Sequence, residues 1–330
     1  MRIKRILITG ASGQIGSVLA GALITQFGEQ NVILTDIRQP EEHEGKFEIL
    51  DVLDKNRLIE LIDQYQITQI YHLAAILSAK GEQNPLFTWN LNMDGLFNVL
   101  EAAREKSIDR IFYPSSIAIY GDKTPPVNTP QETVFNPSTV YGMSKLAGEH
   151  WCAYYHNRYQ LDIRSIRYPG IISYQSMPGG GTTDYAVEIF HEAIKHNAYE
   201  CYLRSDTRLP MIYMSDAIQA TLSLMEAPAE KIKIRSSYNL NGMDFTPAEL
   251  AKEITKHLPG FQISYKPDFR QAIADSWSDS IDDSVARADW GWKPVHDIAS
   301  LTNDMILNLK KKLNSEPPAK TELSSSIKEI

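Results

Sequence analysis

Tyr141 and Lys145 stand four positions apart in "YGMSK", a spacing that puts both side chains on one face of a helix. A free phenol, with a pKa of about 10, is a poor base near neutral pH. A nearby positive charge favours its phenolate, which can take the proton of a substrate hydroxyl while hydride leaves the adjacent carbon. A Tyr-x-x-x-Lys pair also arises by chance on helix surfaces. However, "YPSSIAIYG" sets Ser115 and Ser116 at the end of an apolar run, Ser116 lying 25 positions before Tyr141. Open parallel sheets place their ligands at such strand ends.

Hydride needs an acceptor, and the start of the chain offers a place for one. "RILITGASGQIG" reads as strand, loop and helix, with Gly10, Gly13 and Gly16 spaced G-x-x-G-x-x-G. Gly10 permits the tight turn, Gly13 lets backbone approach a pyrophosphate, and Gly16 lets helix pack on strand. The helix N-terminus adds N–H groups and a partial positive charge. Asp36 ends the second apolar run, 20 residues beyond Gly16. A carboxylate there accepts hydrogen bonds from an adenosine ribose and repels a 2′-phosphate, which favours NAD over NADP. Arg38, close by, is the residue that would accommodate such a phosphate instead. "LDVLD" offers Asp51 and Val52 as an adenine contact, and "HLAA" (His72–Ala75) ends a strand in small residues that leave room for a dinucleotide. His72 reads as a packed core histidine.

A second glycine-rich stretch, "PGGGTTDYAVEIF" (Pro178–Phe190), also precedes a helical pattern and contains no Lys or Arg. Its main-chain N–H groups and two hydroxyls at a helix start suffice for one small carboxylate. The alternative is a linker capped by Thr183 or Asp184.

The elements that must position these groups alternate along the chain. Arg5–Thr9, Asn31–Asp36, Gln69–Ala75, Arg110–Ser116 and Asp162–Tyr168 read as buried strands, with helical patterns at Ile15–Phe27, Leu91–Lys106 and Tyr141–Tyr159. That rhythm predicts βαβ units and an α/β fold, a Rossmann-like doubly wound parallel sheet. After Tyr168 the rhythm breaks, and a smaller C-terminal substrate lobe is expected. The cofactor domain is read as 1–170 with a return segment at 216–240, where Ile232–Leu240 rejoins the sheet; the lobe takes 171–215 and 241–300. Thr246, Pro247 and Glu249 spell a capping box at a helix start. The polar stretch 315–330 reads as a flexible tail.

Composition narrows the class. The formal charge of −8 disfavours a nucleic-acid partner. No run approaches the roughly 18 apolar residues of a membrane span, and the two cysteines, Cys152 and Cys201, fit a reducing compartment. A soluble, cytoplasmic protein is expected. No His or Cys spacing suggests a metal.

The Gly10–Gly16 loop, Asp36, Asp51, "HLAA", "NMDG" (Asn92–Gly95), Ser116, Tyr141, Lys145 and "RYPG" (Arg167–Gly170) follow one another in the order of the extended short-chain dehydrogenases/reductases, which the chain resembles. "AAILSAKGEQNP" (Ala74–Pro85), "GGGTTDYA", "RLPMIYMSDAI" (Arg208–Ile218) and "DSWSDSIDDSVARADWGWKP" (Asp275–Pro294) are closely similar to the L-threonine 3-dehydrogenases of that type, from about Ile6 to Pro294. The resemblance implies NAD-dependent oxidation of L-threonine to 2-amino-3-oxobutanoate. It implies that Ser116 holds the substrate oxygen, Tyr141 is the acid/base, and Lys145 binds the nicotinamide ribose and lowers the tyrosine pKa. It places Gly10, Ser12, Gly13, Gln14, Ile15, Gly16, Asp36, Arg38, Asp51, Val52, Leu73, Ala74, Ala75, Asn92 and Ile171 around the cofactor. It also implies that Ser78, Ser115, Gly181, Thr182, Thr183 and Trp277 surround the amino acid, with Gly181 and Thr182 at its carboxylate and Trp277 walling the pocket against water; the alternative for Trp277 is a core aromatic. Asp282, Asp283 and Arg287 read as a structural salt-bridge face. A homodimer through the helices at about Leu91–Lys106 and Tyr141–Tyr159 is implied.

Two rivals remain. A nucleotide-sugar epimerase or dehydratase uses the same scaffold; dehydratases of this kind resemble one another in an Asp-Glu pair after the strand-end hydroxyl, where this chain has Ile117 and Ala118. A non-catalytic NAD-sensing regulator usually loses the tyrosine or lysine, and this chain keeps both.

Overall fold

The computed structural model describes residues 3–315 except Glu42, Pro178 and Gly180. Of the flexible tail expected at 315–330, Ser315 instead ends the helix Ile298–Ser315, and 316–330 lies outside the described residues, as do Pro178 and Gly180 of the second glycine stretch. Strands β1 (Ile6–Thr9), β2 (Val32–Asp36), β3 (Lys46–Ile49), β4 (Gln69–His72), β5 (Arg110–Ser116) and β6 (Ile163–Tyr168) join Tyr238–Asn239 in one seven-stranded sheet. Its order is Tyr238–Asn239, β6, β5, β4, β1, β2, β3, and every pair is parallel.

Pleating explains the layers. Ile6, Ile8, Val32 and Leu34 point to one face, where Leu19 and Leu23 of helix Gln14–Phe27 and Met214, Ala217 and Leu224 of helix Met214–Glu226 pack on them. Leu7 and Ile33 point to the other, covered by helices Lys55–Tyr65, Pro85–Lys106 and Val140–Tyr159. A sheet buried on both faces needs near-continuous apolar strands, which is why β1 and β2 stand out in the sequence. Each fully buried leucine contributes about 1.5–3 kcal/mol.

Two parts of the sheet differ from expectation. The edge strand β3, "KFEI", is only partly buried and carries Lys46 and Glu48; charge and shortness protect such edges and hide them in the sequence. Of Ile232–Leu240 only Tyr238 and Asn239 pair with β6. The residues before them are drawn away: the Tyr238 hydroxyl accepts the N–H of Lys233 and Ile234 at 2.9 and 3.2 Å, and Arg235 reaches Asp162 at 2.8 Å.

Asp162 lies just before β6. Arg110, Arg164 and Arg235 hold its carboxylate at 2.9, 2.8 and 2.8 Å. Arg164, fully buried, also donates to the carbonyls of Leu224 and Ala227 at 2.5 and 2.6 Å. The negative end of helix Met214–Glu226 thus shares the surplus positive charge.

Beyond β6 the chain builds a second core. Gly170–Ile172 pairs in parallel with Leu209–Tyr213, which pairs antiparallel with Met243–Phe245; Ala198–Cys201 pairs with Gln262–Tyr265. Helices Tyr185–His196, Pro247–His257 and Ile298–Ser315 close over them through Phe190, Leu250, Ile254, Leu301 and Met305. The capping box forms, Thr246 Oγ1 accepting from the Glu249 N–H and Glu249 accepting from the Thr246 N–H. Helix Ser284–Trp290 packs instead beside the large sheet, with Trp290 edge-on to Tyr238 at 5.9 Å. Asp283 accepts from Arg287 at 2.7 Å and from the Trp292 indole at 2.7 Å, a structural tie. Among the described residues no helix is long and apolar enough to cross a membrane.

Candidate active site

The order of connections reverses between β1 and β4, and a crevice opens at their carboxyl ends, as such switch points dictate. Gly10 turns there with φ +72°, and a Cβ on it would lie 2.7 Å from the Ala74 nitrogen; a Cβ on Gly16 would lie 2.3 Å from the Gly10 carbonyl oxygen. The loop is a cradle that side chains would fill.

Two hollows share Gly10, Gly13, Leu73 and Ala75 and so form one elongated cleft. The second, about 680 Å³, is lined by Asp36, Asp51, Val52 and Ala74. The first, about 1030 Å³ including its open mouth, is lined by Gln14, Ile15 and Gly16, by Ser115, Ser116, Tyr141, Lys145 and Ile171, and by Ser78, Gly181, Thr182, Thr183 and Trp277. Of the residues expected around it, Ser12, Arg38 and Asn92 do not line the cleft.

Each of those three has another contact. The Ser12 N–H donates to Asp36 Oδ2 at 3.1 Å, while Asp36 Oδ1 accepts from the Ile37 N–H at 2.7 Å. The carboxylate is thereby pinned at the strand end as a fixed negative charge. Arg38 contributes its carbonyl, 3.5 Å from the Ser12 hydroxyl. Asn92, buried in helix Pro85–Lys106, accepts from the Ile76 N–H at 2.9 Å and donates to the Ile76 carbonyl at 3.2 Å and to Ser144 Oγ at 3.1 Å. It braces the loop after β4 against the helix that carries Tyr141 and Lys145.

That helix starts where Thr139 Oγ1 accepts from the Gly142 N–H at 3.1 Å, which fixes Tyr141 in its first turn. The Lys145 ammonium lies 5.6 Å from the Tyr141 ring centroid and 4.7 Å from that of Tyr113 on β5. Gly148 stands mid-helix, at a cost of about 1 kcal/mol relative to alanine. A Cβ there would come within 2.1 Å of the Tyr113 phenolic oxygen.

Burial dominates the electrostatics. It pushes the Tyr141 phenol up to about 12, against the hydrogen bond with Ser116, which acts downward. It pushes the Lys145 ammonium down to about 8, with Cys152 and Glu149 acting upward. The expectation that Lys145 lowers the phenol is therefore not met by the chain alone, because desolvation disfavours both charged forms. Burial and the charge of Lys145 take His72 down to about 3, and its Nδ1 sits 2.9 Å from Thr9 Oγ1, so it is a neutral core residue.

Ser115 lines the cleft, yet its hydroxyl donates to Glu149 Oε1 at 2.5 Å, and Glu149 is paired with Arg167 at 2.8 Å, all three buried. The Gly181 N–H, expected at a substrate carboxylate, donates instead to Asp184 Oδ2 at 2.7 Å. Asp184 itself lines the first hollow, as do Leu77, Ile117 and Pro169. Thr182 Oγ1 lies 3.4 Å from Ser78 Oγ. Among the described residues Lys145 is the only cation lining either hollow, too little positive charge to grip a sugar diphosphate.

A model of the NAD-dependent epimerase/dehydratase family matches residues 6–240. The chain belongs to this family. A relative in Staphylococcus haemolyticus (strain JCSC1435), described as an uncharacterized epimerase/dehydratase, is 47% identical over 315 residues, 94% of this chain and 99% of its own. Among solved structures, the holo form of a GalE-like L-threonine dehydrogenase from Cupriavidus necator is 55% identical with a TM-score of 0.91, over 92% of this chain and 99% of that one. A monomeric L-threonine 3-dehydrogenase from a metagenome (apo form) is 47% identical with a TM-score of 0.91, over 93% and 99%. The resemblance drawn from "GGGTTDYA" thus extends to the whole described fold.

An epimerase/dehydratase-family cleft takes NAD, and the residues present fit it. The glycine cradle is empty of side chains, the buried Gln14 Nε2 beside it has no partner among the described residues, and Asp36 offers its carboxylate to a ribose.

Proposed function

We propose that the chain oxidises the β-hydroxyl of L-threonine to 2-amino-3-oxobutanoate with NAD. The distribution of charge in the first hollow carries this reading: one cation, Lys145, beside a phenol, and one carboxylate, Asp184, among hydroxyls. That suits a small zwitterion. The two threonine dehydrogenases named above support the same substrate.

The chain's own residues then divide the work. Asp184 faces the substrate ammonium, and the Ser78 and Thr182 hydroxyls take the carboxylate. Trp277 walls the pocket against water. Ser116 and Tyr141 hold the β-hydroxyl, and Tyr141 takes its proton while the β-hydrogen leaves with its electron pair, so that the C–O bond becomes a carbonyl. NAD, when bound, would supply a hydride acceptor and a positive ring that favours the phenolate, with Ile171 among the residues that would hold it. Lys145, as ammonium, holds the ribose and steadies the same phenolate. Anchoring both ends of the amino acid fixes which hydrogen faces the acceptor, and orientation of this kind is a large share of the rate.

Two lobes serve this chemistry, 1–170 with 216–240 for the cofactor, and 171–215 with 241–300 for the substrate. A cytoplasmic homodimer completes the reading. Leu86, Phe87 and Trp89 on one helix and Met143, Trp151 and Tyr154 on its neighbour form an exposed apolar face that a second copy would cover. NADH formation is the test: threonine is expected to give turnover in a panel of 3-hydroxy amino acids and UDP-sugars, and turnover with a UDP-sugar alone would sink the assignment.

A further inference from the structure

Among the described residues Lys145 makes no ion pair, although it is only 4% exposed. The carboxylate one turn along its helix, Glu149, is bonded to Arg167 and Ser115 and reaches the ammonium only through its field. What the ammonium does meet is an aromatic face: the Tyr113 ring centroid lies 4.7 Å from Nζ. A cation within about 6 Å of a ring face is attracted to its negative quadrupole, more so where water is excluded.

We propose that Tyr113 is a positioning residue of this site: its ring face, fitted into the notch left by Gly148, seats the Lys145 ammonium in place of a carboxylate.

Three observations on separate elements converge. Tyr113 is 3% exposed on β5, so its ring cannot swing into solvent. The missing side chain at Gly148 leaves room for its phenolic oxygen. His72 on β4 lies near-parallel to the ring at 6.5 Å and is neutral, so it adds no competing charge. The titratable groups facing Lys145 are then Tyr141, Glu149 and Cys152 on its own helix, Tyr113 on β5 and His72 on β4. A carboxylate in Tyr113's place would hold the ammonium more tightly but would repel a phenolate at Tyr141. A ring holds the cation without adding an anion.

This inference rests on the proposed dehydrogenase reading for its consequence, but its test does not. Lysine ε-carbons labelled with ¹³C report the Lys145 titration in the full-length chain, the resonance being assigned by its loss in Lys145→Met. Tyr113→Phe keeps the ring and is expected to keep the midpoint. Tyr113→Leu removes the quadrupole and is expected to lower the midpoint by about one pH unit, and the alkaline limb of the kcat/KM profile should move down with it. Should Tyr113→Leu fail to fold, phenylalanine carrying one, two or three ring fluorines at position 113 weakens the quadrupole stepwise at nearly constant shape, and the midpoint should fall stepwise. An unchanged midpoint in Tyr113→Leu, or no trend across the fluorinated series, overturns the role. Absence of threonine turnover with the trend intact would overturn only the substrate.

Discussion

Tyr141 and Asp184 are the residues on which the proposed chemistry turns, and each makes a separable prediction. Tyr141→Phe leaves the cleft intact and removes the group proposed to take the proton; turnover should fall at least about a thousand-fold, with NAD binding retained by fluorescence titration. In the native chain, ultraviolet difference spectra should show one phenolate appearing at lower pH once NAD is added, because the phenol begins at about 12. An identical titration with and without NAD would contradict the cofactor's part in activating it. Asp184→Asn keeps an acceptor for the Gly181 N–H but discards the charge. KM for threonine should rise about 10- to 100-fold, the worth of one charge-assisted hydrogen bond, with little change in NAD affinity. Ser116, Tyr141 and Lys145 were legible in the sequence because their types and spacing are rare in combination. Asp184 was not, because a carboxylate at a helix start reads as a cap, and it does hold the Gly181 N–H. Leu77, Ile117 and Pro169 line the cleft with apolar surface that carries no signal of its own. Asn92 was legible as a motif but not in its brace to Ile76 and Ser144, which needs the fold.

At the scale of elements, βαβ rhythm located five of the seven strands and the three helices that carry or flank the cleft. The short edge strand β3 and the pair Tyr238–Asn239 escaped, or were drawn too long, because their pairing is decided by distant partners such as Asp162. That residue offers a test of the sheet's far end. Burial raises its carboxyl, but the hydrogen bond and charge of Arg164, with Arg110 and Arg235, outweigh it and bring it down to about 2. A carboxyl depressed in the fold stabilises it above the unfolded pKa of about 4, and that contribution is lost as pH falls towards 2. The thermal midpoint should therefore drop through this window by the equivalent of roughly 2 kcal/mol. Asp162→Asn should start lower and show less of that acid limb. A mutant curve parallel to the native one would mean that the three arginines are not held by this charge.

For the whole molecule, the exposed face of Leu86, Phe87, Trp89, Met143, Trp151 and Tyr154 decides between one copy and two. Phe97 and Trp151 already pack edge to face at 5.0 Å across the two helices, so the face is preformed. Sedimentation equilibrium should give twice the chain mass of 37.3 kDa, and Trp151→Glu should give the single mass. A single mass for the native chain would ally it with the monomeric metagenome enzyme. The proposed two-lobed plan has a further consequence. The proposed proton transfer belongs to β5 and the helix after it, while Thr182, Thr183 and Asp184 sit on a turn that no strand of the large sheet passes through. Drift in that turn can retune which alcohol is accepted and leave the redox machinery untouched, so a lineage on this scaffold can explore new metabolites without relearning how to oxidise them.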